Sequence, residues 1–114
     1  MERECCVRGY HVYIDVWDAS IGEELDCHRE PNNAKDPYAV KVVKSSVVVG
    51  HVPKKLSRIY SLFIRRGGVI KCRVAGKRRH SSDLPQGGME IPCILTFEAK
   101  LKELQKLKKL LKLN

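Results

Sequence analysis

The chain has no Gly-x-x-x-x-Gly-Lys-Ser/Thr run, and Gly87-Gly88 is too short a glycine segment to cradle a nucleotide, so an ATPase of the phosphate-loop kind is excluded. Its five cysteines, Cys5, Cys6, Cys27, Cys72 and Cys93, are odd in number and show no Cys-x-x-Cys spacing. That argues against a disulfide framework and against a paired-ligand zinc site, and suits reduced thiols in a nuclear or cytosolic protein. A zinc site would have to be gathered from Cys5, Cys6, Cys27, His28, His51 and His80 without any paired spacing. Cys27 and His28 are adjacent, so in a strand they face opposite ways and make no nucleophile–base couple. The charged start, Met1-Glu2-Arg3-Glu4, is followed by no apolar run, so neither a signal peptide nor a membrane span is expected. Internal repeats are absent as well.

Acidic residues are scarce after the first quarter of the chain. Residues 1–30 carry 8 acidic and 3 basic side chains, residues 31–98 carry 4 and 13, and residues 99–114 carry 1 and 6, within a net charge of +9. A basic surface of this kind suits nucleic acid as a partner, although charge alone fits an ordinary solvated surface equally well. With 114 residues there is room for one core and no second domain.

Hydropathy patterning places the elements. Val7 to Asp15 reads as a first strand, an irregular link passes through Trp17, Asp18 and Ser20, and Glu24 to Arg29 reads as a second strand. Ala39 to Val43 and Ser46 to Val52 are β-branched runs joined at Lys44-Ser45, a hairpin. From Pro53 to Arg66 the period becomes helical, with Leu56, Ile59, Tyr60 and Phe63 on one side and Lys54, Arg58, Ser61 and Arg65 on the other, ended by Gly67-Gly68. Val69 to Ala75 and Glu90 to Glu98 alternate as strands, the latter turning Ile91, Cys93, Leu95 and Phe97 to one face, and Gly76 to Gly88 forms a basic loop between them. In residues 99–114 a stripe of Leu104, Leu107 and Leu111 runs among six lysines, predicting a basic amphipathic helix that serves as an oligomerising helix, a membrane-surface helix or a sticky polycation. The expected organisation is a tail over 1–6, a mostly β domain over 7–98 with one or two helices, and this C-terminal helix over 99–114.

One segment stands out: Arg29-Glu30-Pro31-Asn32-Asn33-Ala34-Lys35-Asp36-Pro37-Tyr38-Ala39-Val40-Lys41-Val42, followed by Val49-Gly50-His51-Val52-Pro53. Prolines, which lack an amide donor, and Asn and Asp, which close local turns, make it a polar loop between two apolar runs. On those residues the chain resembles the HIRAN domain, whose segment reads Arg-Glu-Pro-x-Asn-Pro-x-Asp-x-x-Ala-Val-x-Val before a turn into a helix. The likeness runs from Val7 to Glu98. It implies a modified OB-like small β-barrel that binds DNA without catalysis, uses no cofactor, and in fork-remodelling members captures the 3′ end of single-stranded DNA. A role in DNA repair, a nuclear location and attachment to a larger helicase or nuclease are part of the same implication.

By that resemblance Asp36 contacts the terminal 3′-hydroxyl and Asn33 holds the last nucleotide. A carboxylate accepts a hydroxyl hydrogen bond and repels a 3′-phosphate. Read without the resemblance, both residues simply close turns. His51 and Lys54 match the family's phosphate-contacting turn, and Arg58, one helical turn beyond Lys54, is expected to contact phosphate with them. The family stacks the terminal base on aromatic side chains, whereas the aligned positions here are Val12, within Tyr10-His11-Val12-Tyr13, and Lys35; a third aromatic position is Met89. Tyr10, Tyr13, Trp17 and Tyr38 are the aromatic residues able to substitute, and Tyr38 and Met89 complete the pocket wall. The family's motif proline is Ala34. The competing reading is a protein- or membrane-interaction module acting through the C-terminal helix, with a membrane surface disfavoured.

Overall fold

In a computed structural model of the chain, residues 1–9, 17–81 and 88–112 are described. The elements are β1 (Glu2–Arg8), β2 (Glu24–Arg29), β3 (Val40–Lys44), β4 (Val47–His51), α1 (Lys54–Arg65), β5 (Val69–Val74), β6 (Arg79–His80), β7 (Met89–Glu98) and α2 (Leu101–Lys112). The strands follow the order β1-β4-β3-β2-β5-β7, and β1 also pairs with β7, so the sheet closes into a six-stranded barrel with β6 added beside the first residues of β7. All the pairings among the described residues are antiparallel.

β7 is the longest strand because it serves two neighbours: β1 from Glu2↔Thr96 to Arg8↔Glu90, and β5 from Val69↔Glu98 to Val74↔Cys93. Its Ile91, Cys93, Leu95 and Phe97 are buried at every second position, as the alternation predicts. Val7, Leu25, Cys27, Val40, Val42, Val49, Ile70, Cys72 and Val74 join them in one core. Helix α1 packs on it through Tyr60 and Phe63, whose rings lie 5.3 Å and 5.7 Å from that of Phe97. The helix stops where predicted. Gly67 takes φ +95, its N–H and that of Gly68 return to the carbonyls of Ile64 and Phe63, and a side chain at Gly68 would run into the Phe63 ring.

Several boundaries differ from expectation. Residues 2–6 are strand rather than tail, because the edge of β7 offers them a ladder that sequence alternation does not reveal. Of the first strand expected over Val7 to Asp15, Val7 and Arg8 fall in β1, Gly9 follows with φ +71, and residues 10–16 lie outside the described set. The hairpin turns at Ser45-Ser46, not Lys44-Ser45; both serines hold positive φ, the geometry of a two-residue turn between twisted strands. Part of the expected loop, Arg79–His80, is strand β6.

Helix α2 does not stand apart. Leu107 and Leu111 are 2% and 6% exposed and belong to the core cluster, and Leu107 lines a small cleft together with Ile59, Leu62 and Phe63 of α1. The leucine stripe therefore faces inward, with the lysines left in water.

The thiols sort by environment. Cys5 lies directly opposite Cys93 across β1 and β7 and is only half-buried. The facing Cys93 thiol donates towards it and lowers its pKa to about 7 against the opposing effect of burial, whereas burial pushes Cys6 up to about 12 and raises Cys27 well above the usual thiol range. Iodoacetamide at neutral pH is expected to alkylate Cys5 first and to leave Cys6, Cys27, Cys72 and Cys93 until the chain unfolds, as peptide mass mapping over time will record. Equal labelling of all five in the folded state would contradict this packing.

Candidate nucleic-acid interface

The loop between β2 and β3 is built by its own polar side chains. Asn33 Oδ1 accepts from the N–H groups of Lys35 and Asp36, at 2.9 and 3.1 Å, while its Nδ2 donates to Glu30 Oε1 at 2.7 Å. Asp36 Oδ1 accepts from the Tyr38 N–H at 2.9 Å. Its Oδ2 accepts from the Ser57 hydroxyl, also at 2.9 Å, which ties the loop to the first turns of α1. Each carboxylate oxygen has two lone-pair sites, so Asp36 keeps acceptor capacity for a ligand hydroxyl. Turn closure and ligand contact are thus compatible roles for the same group.

His51 ends β4 beside this loop, with Nε2 2.8 Å from Glu30 Oε1. Burial opposes ionisation of Glu30, but hydrogen bonds from Asn33 and His51 and the charges of His51 and Lys41 outweigh it and hold this carboxyl below the usual range. A depressed carboxylate contributes stability above its unfolded pKa and loses it as pH falls through the folded one. The melting temperature is therefore expected to drop as pH is lowered below about 4.5, less steeply in Glu30→Gln; identical acid profiles for the two proteins would remove Glu30 from the account.

Together these residues line an open groove of about 830 Å³: Glu30, Asn33, Lys35, Asp36, His51, Lys54 and Ser57 are on its walls, and Gly9 brings the end of β1 to its edge. Lys54 opens α1, where backbone N–H groups have no partner within the helix and favour an anion; Pro53 precedes it as the N-cap and supplies no side-chain cap. Lys35 and Lys54 are both exposed. The groove therefore sets two exposed lysines, Lys35 and Lys54, at its rim beside two carboxylates, Glu30 and Asp36, and the Asn33 amide.

A second cleft, of about 420 Å³, lies on the other side of the α1 start, lined by Arg3, Arg8, Lys55, Arg79 and Glu90. Here Arg8 and Arg79 are engaged internally. Glu90, only 6% exposed, takes Arg8 Nη2 at 3.4 Å and Arg79 Nε at 3.0 Å. Burial opposes its ionisation, but the bonds from Arg79, Cys6 and Ser81 and the Arg8 charge prevail and lower its pKa. Among the described residues, no group of three or more His, Cys, Asp or Glu side chains is placed to hold a metal ion.

Of the residues singled out in the sequence, Asn33, Lys35, Asp36, His51 and Lys54 meet in one groove. Arg58 does not line it, and instead lies over the Tyr38 ring, 5.3 Å from its centroid. Tyr38 is exposed rather than a groove wall. Met89 pairs with His80 at the start of β7 and packs on the core, away from the described groove lining. Tyr10, His11, Val12 and Tyr13 lie outside the described residues. Trp17 is buried and donates to Glu23 Oε1, so it offers no stacking face. Sequence reasoning missed Glu30 and Ser57. Glu30 stands three residues before Asn33, the right separation for a loop-closing partner. Ser57 is the buried polar residue one turn after Lys54.

A family model of the HIRAN domain matches residues 7–100. Among solved structures, the HIRAN domain of human HLTF superposes with a TM-score of 0.77 at 22% identity, covering 97% of this chain and 86% of that one. A protein from Lactobacillus plantarum superposes with a TM-score of 0.53 at 14% identity, over 83% of this chain and 98% of its own. At these identities both similarities speak for the fold. No curated protein matches the chain significantly.

Proposed function

Because the chain belongs to the HIRAN domain family, a family of DNA-binding modules, we propose that its groove captures the 3′ end of single-stranded DNA without catalysing a reaction on it. The observation that carries this reading is the meeting of Asn33, Lys35, Asp36, His51 and Lys54 around one groove, although they come from a loop, a strand end and a helix start. In this reading Asp36 accepts a hydrogen bond from the terminal hydroxyl. A phosphate in the same place would set two anions against each other, so the site senses the state of the end. Lys54 and the α1 N-terminus take the adjoining phosphate, with His51, held by Glu30, also lining the groove. Action at damaged or stalled replication structures, and in the nucleus, belongs to the same reading.

The packing of α2 weighs against the competing membrane or protein module. Leu107 and Leu111 are already buried within the domain and are not free to insert elsewhere, and no helix among the described residues is long and apolar enough to cross a membrane. The test is salt dependence. Each phosphate contact on a single strand contributes about −0.7 to the slope of log affinity against log salt, so Lys54→Ala should flatten the slope by about that amount. Neutralising Lys102 and Lys109 of α2 should leave the preference for ends over internal sequence unchanged. A Lys54→Ala protein with unaltered slope and affinity would contradict the assignment of the groove.

A further inference from the structure

Single-strand binding by an OB-like groove draws on flat side chains that stack bases. Four of the described aromatic residues cannot serve: Trp17, Tyr60, Phe63 and Phe97 are all at most 4% exposed. Tyr38 is the described aromatic residue with an open ring, at 46% exposure. It is also held in place. Its N–H is fixed by Asp36 Oδ1, the carboxylate that anchors the loop to Ser57, and the Arg58 guanidinium lies over its ring. Arg58 follows Lys54 by four residues and so shares its side of α1, which sets the ring one helical turn from the groove wall. A ring pinned at its backbone and braced on one face loses little freedom when a base covers the other.

We infer that Tyr38, braced by Arg58, is a stacking platform for the base next to the captured 3′ end, so that the site places its aromatic surface on α1's flank where Lys35 offers none. The inference rests on the proposed end-capturing function and adds to it a stacking residue and a specific base. Arg58 acts as a positioning residue for the ring while its charge favours the strand's phosphates. Stacking of this sort tolerates any base, because every base has a π-face.

The test uses the full chain and a short single strand with 2-aminopurine at the second-last position or well inside the strand, read by fluorescence and by anisotropy. Fluorescence should fall on binding at the second-last position and much less at the internal one. Tyr38→Phe should keep both this signal and the affinity. Tyr38→Ala should lose the signal and bind about tenfold more weakly, with the preference for 3′-hydroxyl over 3′-phosphate intact. Arg58→Leu should weaken the signal as well as the affinity. The variants replace exposed side chains, and circular dichroism will verify their folding. A Tyr38→Ala protein with affinity within twofold and the same 2-aminopurine signal, or an equal signal at both positions, would overturn the platform while end capture stands. Failure of the unaltered chain to bind single strands would overturn both.

Discussion

Replacing Leu107 and Leu111 together by alanine is expected to remove most of the stability of the fold. Each side chain is buried in the common core, Leu107 beside a small cleft it shares with Ile59, Leu62 and Phe63, and truncation of a buried leucine costs about 2–5 kcal/mol through lost burial and the cavity left behind. The sum approaches the whole stability of a small domain, about 5–15 kcal/mol. Urea unfolding followed by circular dichroism will measure it. Lys108→Ala, on the wet side of the same helix, should change stability by no more than about 0.5 kcal/mol. A double variant within 1 kcal/mol of the parent, against an estimate of about 4 or more, would make α2 an appendage after all. The consequence for function is practical: cutting the chain after residue 98 opens the core, so the part α2 plays in binding is read from lysine substitutions and not from deletion.

Asp36→Ala is expected to have the largest effect on the groove. The substitution frees the Tyr38 N–H and unties the loop from Ser57; hydrogen bonds to a charged group are worth about 1.5–3 kcal/mol each, and solvent access to the loop places the stability loss towards the lower end. Single-strand affinity should fall at least about tenfold, since both the end contact and the shape of the loop go. Asp36→Asn separates the two roles. Its amide oxygen can still accept one of the two internal bonds, so the loop largely holds, while the loss of charge removes the repulsion of a 3′-phosphate and brings the two kinds of end closer in affinity. If Asp36→Asn discriminates the ends as strongly as the parent, with folding unchanged in thermal melts, the carboxylate is only a turn-closing group.

The strands of the barrel were legible because buried sheet positions alternate: Ile91, Cys93, Leu95 and Phe97 could be read as a face directly. Strand β1 was not, since Glu2-Arg3-Glu4 shows no apolar pattern and is ordered by pairing with β7, a contact ninety residues away in the chain. Helix α1 was legible from its spacing, but its polar side was not uniform. Ser57 and Ser61 sit on the predicted wet flank or beside it and are buried, one on Asp36 and the other accepting from Arg29 Nε at 3.2 Å. Both bonds depend on how the loop and β2 lie against the helix, which composition does not encode. The same holds for Arg58, read as a phosphate contact and found over Tyr38. The motif residues that meet in the groove were legible through the family resemblance; from their chemistry alone Asn33 and Asp36 read equally as turn formers, and the structure has them closing turns.

The central claim is that this groove reads a free 3′ end. Its most direct test is one titration of the unaltered protein, at fixed salt, against a single strand ending in a 3′-hydroxyl, the same strand ending in a 3′-phosphate, and a circular single strand with no end. A charged hydrogen bond gained and a repulsion avoided correspond to about 1–3 kcal/mol, so the hydroxyl end should bind about 5- to 150-fold more tightly than either of the others. Equal affinity for all three would contradict end capture and leave a basic barrel that binds any single strand.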